Sequence, residues 1–137
     1  MKALKFIVAS ALIFSTAACV STARSDASSR DLPLMSVRLD PEQPLPLVLF
    51  EKVQIQARDG CVYVVGDPVA QGAAAVWPDY YEVFWTNGMP QGITDRRSGK
   101  KLEFGVVTNL GGGSMTGYRL LTDNPSCKGE RNLFYIP

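Results

Sequence analysis

The fold class is decided by a short stretch in the middle of the chain, YEVFWTNG, residues 81–88. Tyr81, Val83 and Trp85 alternate with other residues, which is the two-residue period of a β-strand with one buried face. Asn87 and Gly88 follow, and this pair is a strong signal for a tight hairpin because both residues tolerate a positive φ. The stretch therefore predicts two antiparallel strands joined at residues 87–88.

Short apolar runs bounded by turn residues continue on both sides of this hairpin. They cover residues 47–56, 61–65, 74–77, 92–95, 102–108, 118–121 and 133–136. The glycines at residues 111–113 are interpreted as a break in the chain, and a short helix at residues 115–122 is the main alternative to a strand. Helical periodicity is not sustained anywhere in this part of the chain. We predict an all-β domain, a small antiparallel β-barrel or sandwich of about seven to eight strands.

Composition excludes several classes of function. The 137 residues suffice for one domain and include no histidine, which excludes Ser–His–Asp and Cys–His catalysis and His-ligated zinc. With 14 Lys and Arg against 13 Asp and Glu, the chain lacks the basic excess of a nucleic-acid-binding protein. We expect a non-enzymatic protein without cofactor or metal. A carboxylate-based enzyme is the remote alternative, although no spacing singles out a catalytic pair.

The amino terminus has the three parts of a secretory signal peptide. Lys2 and Lys5 precede an apolar run at residues 6–14, and small residues follow. The apolar run is too short to span a bilayer, which needs about 20 residues. We therefore predict that residues 1–18 direct export. Removing Lys2 and Lys5 from the 14 basic residues leaves 12 against 13 acidic ones, a net charge of −1.

The end of the predicted signal peptide, Thr16-Ala17-Ala18-Cys19, resembles a bacterial lipobox. That resemblance implies that Cys19 becomes the new amino terminus and carries acyl chains such as palmitate, with the membrane as a partner through this anchor. Cleavage after Ala23 is the alternative. Because Val20 rather than Asp follows Cys19, the resemblance implies an outer-membrane lipoprotein facing the periplasm.

The segment after Cys19 is rich in Ser and Pro, so residues 19–45 are predicted to be a flexible tether and residues 46–137 the β domain. As a coil, residues 21–46 span about 28 Å. Weak alternation at residues 34–39 allows at most an edge strand. In an oxidising envelope Cys61 and Cys127 should form a disulfide that ties the second strand to the last, contributing about 4 kcal/mol.

Two predicted loops are candidate partner-binding sites. One is the glycine run, Gly111, Gly112 and Gly113 with Ser114, whose backbone amides could hold an anion although no Walker lysine follows. The other, around Arg96 and Arg97, is a basic hairpin tip suited to phosphate or an acidic partner. Their alternatives are a tightly bent connection and a solvated hairpin end. The predicted core, which includes the aromatic strand, consists of Val62, Val64, Val76, Val83, Trp85, Val106 and Phe134.

The order of several short motifs resembles a group of small uncharacterised bacterial envelope proteins. The motifs are Gly60-Cys61-Val62, Trp77-Pro78, the glycine run and Cys127-Lys128-Gly129 before a final aromatic strand. The resemblance implies a small β-barrel-like domain with paired cysteines and carries no activity. We expect a lipid-anchored module that binds an unknown envelope protein or glycan. The alternative is an inhibitor of a cell-wall lytic enzyme such as lysozyme, presenting residues 114–118, which rests on analogy of fold.

Overall fold

The computed structural model describes residues 32–66 and 72–137. The predicted signal peptide, the predicted lipidation site Cys19 and the first part of the predicted tether lie outside these residues. Within them the chain forms ten β-strands in two sheets and no helix, which confirms the all-β prediction. The described residues accordingly offer no apolar helix of membrane-spanning length.

The ten strands follow the turn residues closely. They are β1 Met35–Val37, β2 Val48–Arg58, β3 Cys61–Val65, β4 Ala73–Pro78, β5 Tyr81–Thr86, β6 Met89–Asp95, β7 Lys101–Glu103, β8 Thr108–Ser114, β9 Leu120–Thr122 and β10 Arg131–Tyr135. The single strand predicted at residues 102–108 is wrong. It is divided between β7 and β8 by a turn in which Gly105 has a φ of 79°. At residues 115–122 the alternative helix is absent and β9 forms instead.

Five of the strands close into a ring. Hydrogen-bonded pairs join β2 to β3, β3 to β4, β4 to β10, β10 to β8 and β8 back to β2, and only the β4–β10 pair is parallel. Numbered along the chain, the ring order is first, second, third, fifth, fourth, which is the strand order of an OB-fold barrel. Closure leaves no exposed edge within the ring.

The long strand β2 belongs to two sides of this ring. Its first half pairs with β8 and its second half with β3, and the register with β8 shifts between Phe50 and Val53. Within that shift Lys52 has a φ of 56°, and its N–H donates to the side-chain oxygen of Asn109 at 3.1 Å. This bulge bends β2 so that one strand turns the corner of the barrel.

The strands bury two apolar clusters. The larger joins residues of the ring to residues of the three-stranded sheet β5–β6–β7, and it contains Phe50, Val53, Ile55, Val62, Val64, Ala73, Ala75, Trp77, Tyr81, Ile93, Leu102, Leu110 and Phe134. The smaller contains Met35, Val37, Cys61, Tyr63, Ala74, Val76, Cys127 and Leu133. Because neighbouring residues of a strand point to opposite faces, β3 sends Val62 and Val64 into one cluster and Cys61 and Tyr63 into the other.

The domain begins earlier than predicted. Strand β1 lies within the range predicted as tether, pairs with both β4 and β9, and buries Met35 and Val37 completely. It is an interior strand rather than an edge strand, because it has partners on both sides. The described part of the predicted tether therefore contributes to the fold, since these two side chains fill the smaller cluster.

The predicted disulfide between Cys61 and Cys127 is confirmed, with the two Cα atoms 5.1 Å apart. Cys127 lies in the connection between β9 and β10 rather than in the last strand, so the bond joins β3 to that connection. Both sulfurs belong to the smaller cluster. The covalent link thus fastens the layer that covers the outside of the ring.

The predicted core is correct in the ring and wrong at two positions. Val62, Val64, Val76 and Phe134 are buried, and Val83 is half-buried. Trp85 is 38% exposed and Val106 is 50% exposed. Trp85 lies near the end of β5, beyond the part of the strand that packs on the ring, and Val106 lies in the turn before β8.

Candidate functional site

The glycine run does not form a loop. Gly111, Gly112 and Gly113 lie in β8, are buried, and pair with β10, while Gly111 and Gly112 also pair with β2. The backbone amides expected to bind an anion belong to a paired strand of the closed ring. The prediction of a loop at residues 111–113 is therefore wrong.

These glycines are needed because their neighbours come too close for a side chain. A Cβ on Gly111 would collide with the ring of Tyr135, and one on Gly112 would collide with the carbonyl oxygen of Leu133. At Gly113 it would lie 2.6 Å from the Cβ of Pro46. The run thus permits close packing in the barrel, whereas Ser114 at its end is exposed.

The second predicted site is an exposed turn between β6 and β7, which we call the basic turn, residues 95–101. It carries Arg96, Arg97, Lys100 and Lys101. The turn is fixed from within by Asp95, which is only 8% exposed. Its Oδ1 accepts the N–H of Arg97 at 2.8 Å and that of Ser98 at 3.3 Å.

The four cations of the basic turn are oriented by main-chain oxygens and by aromatic rings. Arg96 donates to the carbonyl oxygens of Tyr80 and Asp79 at 3.2 and 3.3 Å, and Lys100 donates to a main-chain oxygen of Pro137 at 2.8 Å. The salt bridges of the described residues are Arg38 with Asp79 and Arg131 with Asp123. Within that part of the chain, the four cations therefore have no carboxylate side chain as a partner.

Aromatic rings support two of these cations. The guanidinium carbon of Arg97 lies 3.8 Å from the centre of the Tyr80 ring, and the Nζ of Lys101 lies 4.9 Å from that of Phe84. Burial raises the pKa of the Tyr80 hydroxyl, and the Arg97 charge opposes that rise. Stacking holds the Arg97 guanidinium in one orientation while its N–H edge stays free for an anionic group.

The usual ligand surface of OB-type barrels is closed in this molecule. Such barrels bind oligonucleotides or oligosaccharides on the face of their second and third strands, which correspond here to β3 and β4. The outer side chains Tyr63, Ala74 and Val76 are buried in the smaller cluster. This face of the ring is therefore covered, whereas the turns of the three-stranded sheet are exposed.

One groove could not be found from the sequence. It has a volume of about 340 Å³ and is lined by Arg38 and Arg119 together with Gln43 and Tyr118. The two arginines are 81 positions apart in the chain and meet only because β1 pairs with β9. Arg38 is largely exposed and lies 3.7 Å from Asp79, and Arg119 forms no salt bridge with another described residue.

Comparison with known proteins identifies no match to this chain among family models, curated proteins or solved structures. In the described residues, no group of three or more Cys, Asp or Glu side chains is arranged to hold a metal ion. The candidate site therefore rests on the geometry of the basic turn.

Proposed function

We propose that this protein is a lipid-anchored envelope protein that acts as a non-enzymatic binding module for an anionic partner, an acidic protein or an anionic glycan. The proposal is carried by the basic turn, where a hydrogen-bonded backbone presents four cations without a carboxylate side chain as partner among the described residues. Exposed ion pairs contribute about 0.2–1 kcal/mol each, so several of these cations would act together. An anionic partner would find these donors already ordered, which lowers the entropic cost of binding.

The location in the envelope is supported by the sequence and by the disulfide. The lipobox-like segment ending at Cys19 supports an acyl anchor. The disulfide is compatible with an exported protein because such bonds persist in oxidising compartments. We further propose, from Val20, that the anchor lies in the outer membrane with the domain in the periplasm.

A photo-crosslinking residue at the exposed Ser98 tests this function in intact cells, with the same residue at Thr86 as the matched control on the other turn of the sheet. We expect an adduct from position 98 and not from position 86. Arg97→Glu should abolish the adduct, and added salt should weaken it in isolated envelopes because screening acts on exposed charges. An adduct that survives both changes would show that charge does not bind the partner.

The alternative, inhibition of a cell-wall lytic enzyme, is favoured by a second ordered turn. Ser114 Oγ and Thr116 Oγ1 are 2.7 Å apart, and the Tyr118 hydroxyl donates to the carbonyl oxygen of Pro44 at 2.9 Å. These contacts hold the exposed residues 116 and 117 in a fixed shape suited to insertion into a cleft. Titration of lysozyme activity with the purified protein distinguishes this alternative, and Thr116→Trp should abolish any inhibition.

A further inference from the structure

The hairpin at the end of the three-stranded sheet opposite the basic turn contains no charged residue. Residues 83–94 form twelve consecutive positions without Asp, Glu, Lys or Arg, in a chain with 20% charged residues. Their hairpin exposes Trp85 by 38% and Met89 by 57%. A single exposed apolar side chain is ordinary, whereas a contiguous group of them marks a contact surface.

A second uncharged segment lies beside this hairpin. The Phe104 N–H donates to the carbonyl oxygen of Gln91 at 2.9 Å, which places the turn after β7 next to the start of β6. In that turn Val106 is 50% and Val107 is 63% exposed. We call the two segments, residues 85–90 and 104–107, the uncharged end.

The described chain also begins near this end. Leu32, Pro33 and Leu34 line one groove, of about 350 Å³, which runs along β5 past Tyr81, Glu82, Val83 and Trp85. Twelve residues separate Leu32 from Cys19. A coil of that length spans about 20 Å, and the fully extended chain reaches at most about 45 Å.

We infer that the uncharged end docks on the lipid surface of the membrane in which the chain is anchored. This inference rests on the proposed acylation of Cys19, which keeps the groove at Leu32 within a short distance of the bilayer. Trp is favoured at the membrane–water interface, where its ring is apolar and its N–H remains hydrated. Residues 85–90 and 104–107 carry no charge, so their insertion requires no ion to leave water. The charged Glu82, Lys101 and Glu103 lie at the border of this surface.

Docking in this orientation determines where the basic turn points. Strand β6 joins the two ends and has seven residues, which span about 20 Å at the rise of a β-strand. With the uncharged end on the lipid, the basic turn faces away from the membrane. The lipid surface thus orients the site that the proposed partner would meet.

The two tryptophans of the chain allow a direct test, because Trp77 is fully buried and Trp85 is partly exposed. Full-length protein purified from envelopes is reconstituted into phosphatidylethanolamine–phosphatidylglycerol vesicles with brominated acyl chains, which quench nearby indoles. In the wild type, we expect the brominated lipid to quench the emission of Trp85 and not that of Trp77. The Trp85→Phe variant, which emits from Trp77 alone, should therefore not be quenched. Met89→Asp should abolish the quenching, whereas Ser98→Asp, at the basic turn, should preserve it.

If iodide in the water quenches Trp85 and brominated lipid does not, the docking is refuted. Protection of Trp85 only when other envelope proteins are present would overturn it too, in favour of a protein partner. Mass spectrometry of the amino terminus and vesicle flotation test the anchor separately. An acylated, floating protein without quenching refutes the docking alone, whereas an unacylated protein refutes the anchor.

Discussion

The two turns of the three-stranded sheet lie at opposite ends of β6 and are built in different ways. At one end, Asn87 and Gly88 close the hairpin with φ values of 52° and 74°, and no charged side chain takes part. At the other end, the buried Asp95 carboxylate holds a turn that carries four cations. The same strand therefore supports an apolar surface and a cationic one, and the scaffold leaves the chemistry of each end independent.

The residues between these ends are constrained more tightly than the ends themselves. Tyr81, Val83 and Trp85 share one face of β5, yet their exposure increases along the strand from the basic end to the uncharged end. Tyr81 stacks on Trp77 with ring centres 5.6 Å apart, whereas Trp85 lies beyond the ring. One alternating pattern can therefore begin in the core and end on the exposed surface within a strand of six residues.

The largest effect should follow from a change remote from both ends. Cys127→Ser removes the disulfide, whose partners are 66 positions apart, and should lower the free energy of unfolding by about 4 kcal/mol. Denaturant unfolding with and without reductant measures this loss, and reductant should have no effect on the variant. A variant as stable as the oxidised wild type would contradict a stabilising role for the bond.

A change in the middle of β6 should disturb both ends together. A Cβ on Gly92 would collide with the carbonyl oxygen of Leu102 and lie 2.8 Å from Cε1 of Phe84. We expect Gly92→Ala to destabilise the protein by about 3 kcal/mol, because backbone must move to accept it. Gln91→Ala, at the exposed neighbouring position, is the control and should be close to neutral. Equal unfolding curves for both variants would refute the close approach of β6 and β7.

Loss of the Asp95 carboxylate should affect the basic end alone. Asp95→Ala leaves the N–H groups of Arg97 and Ser98 without their acceptor and should cost about 2 kcal/mol. Hydrogen exchange at these two amides should increase while exchange at the Asn87–Gly88 hairpin stays unchanged. If both turns lose protection equally, the two ends are not independent.

The smallest effect concerns alkaline pH. Burial raises the pKa of the Tyr81 hydroxyl, which accepts the N–H of Ile136 at 2.9 Å. Because the folded state favours the neutral phenol, this contribution is complete below pH about 10, the unfolded value, and is lost as the pH rises above it. The free energy of unfolding of Tyr81→Phe should therefore decline less steeply than that of wild type above pH 10. Parallel declines would contradict burial of the hydroxyl.

The sequence predicted local structure correctly where particular residue types have one structural use, such as a tight turn or a disulfide. Asn87-Gly88 formed the expected hairpin, and Cys61 and Cys127 formed the expected bond. The loop prediction for the glycine run failed because the sequence alone does not distinguish a glycine in an open loop from a glycine packed under an aromatic ring. Only the tertiary contact between Gly111 and Tyr135 distinguishes them.

Long-range pairing explains the remaining differences. The weak alternation at residues 34–39 indicated an edge strand, but only the pairing of the three-residue β1 with both β4 and β9 makes it an interior strand. The alternation at Trp85 predicted the correct face of β5, but not that the strand extends past the ring. The groove lined by Arg38 and Arg119 likewise could not be predicted without knowing that β1 pairs with β9.

The two ends of β6 should face different environments, lipid at one end and water at the other, and paired spin labels at Met89→Cys and Ser98→Cys test this. Each full-length variant is reconstituted through its own anchor into vesicles, and its exposure to oxygen, which concentrates in lipid, and to a water-soluble nickel chelate is measured. The label at position 89 should be relaxed mainly by oxygen and the label at position 98 mainly by nickel. Two labels that respond alike to both reagents would contradict the account.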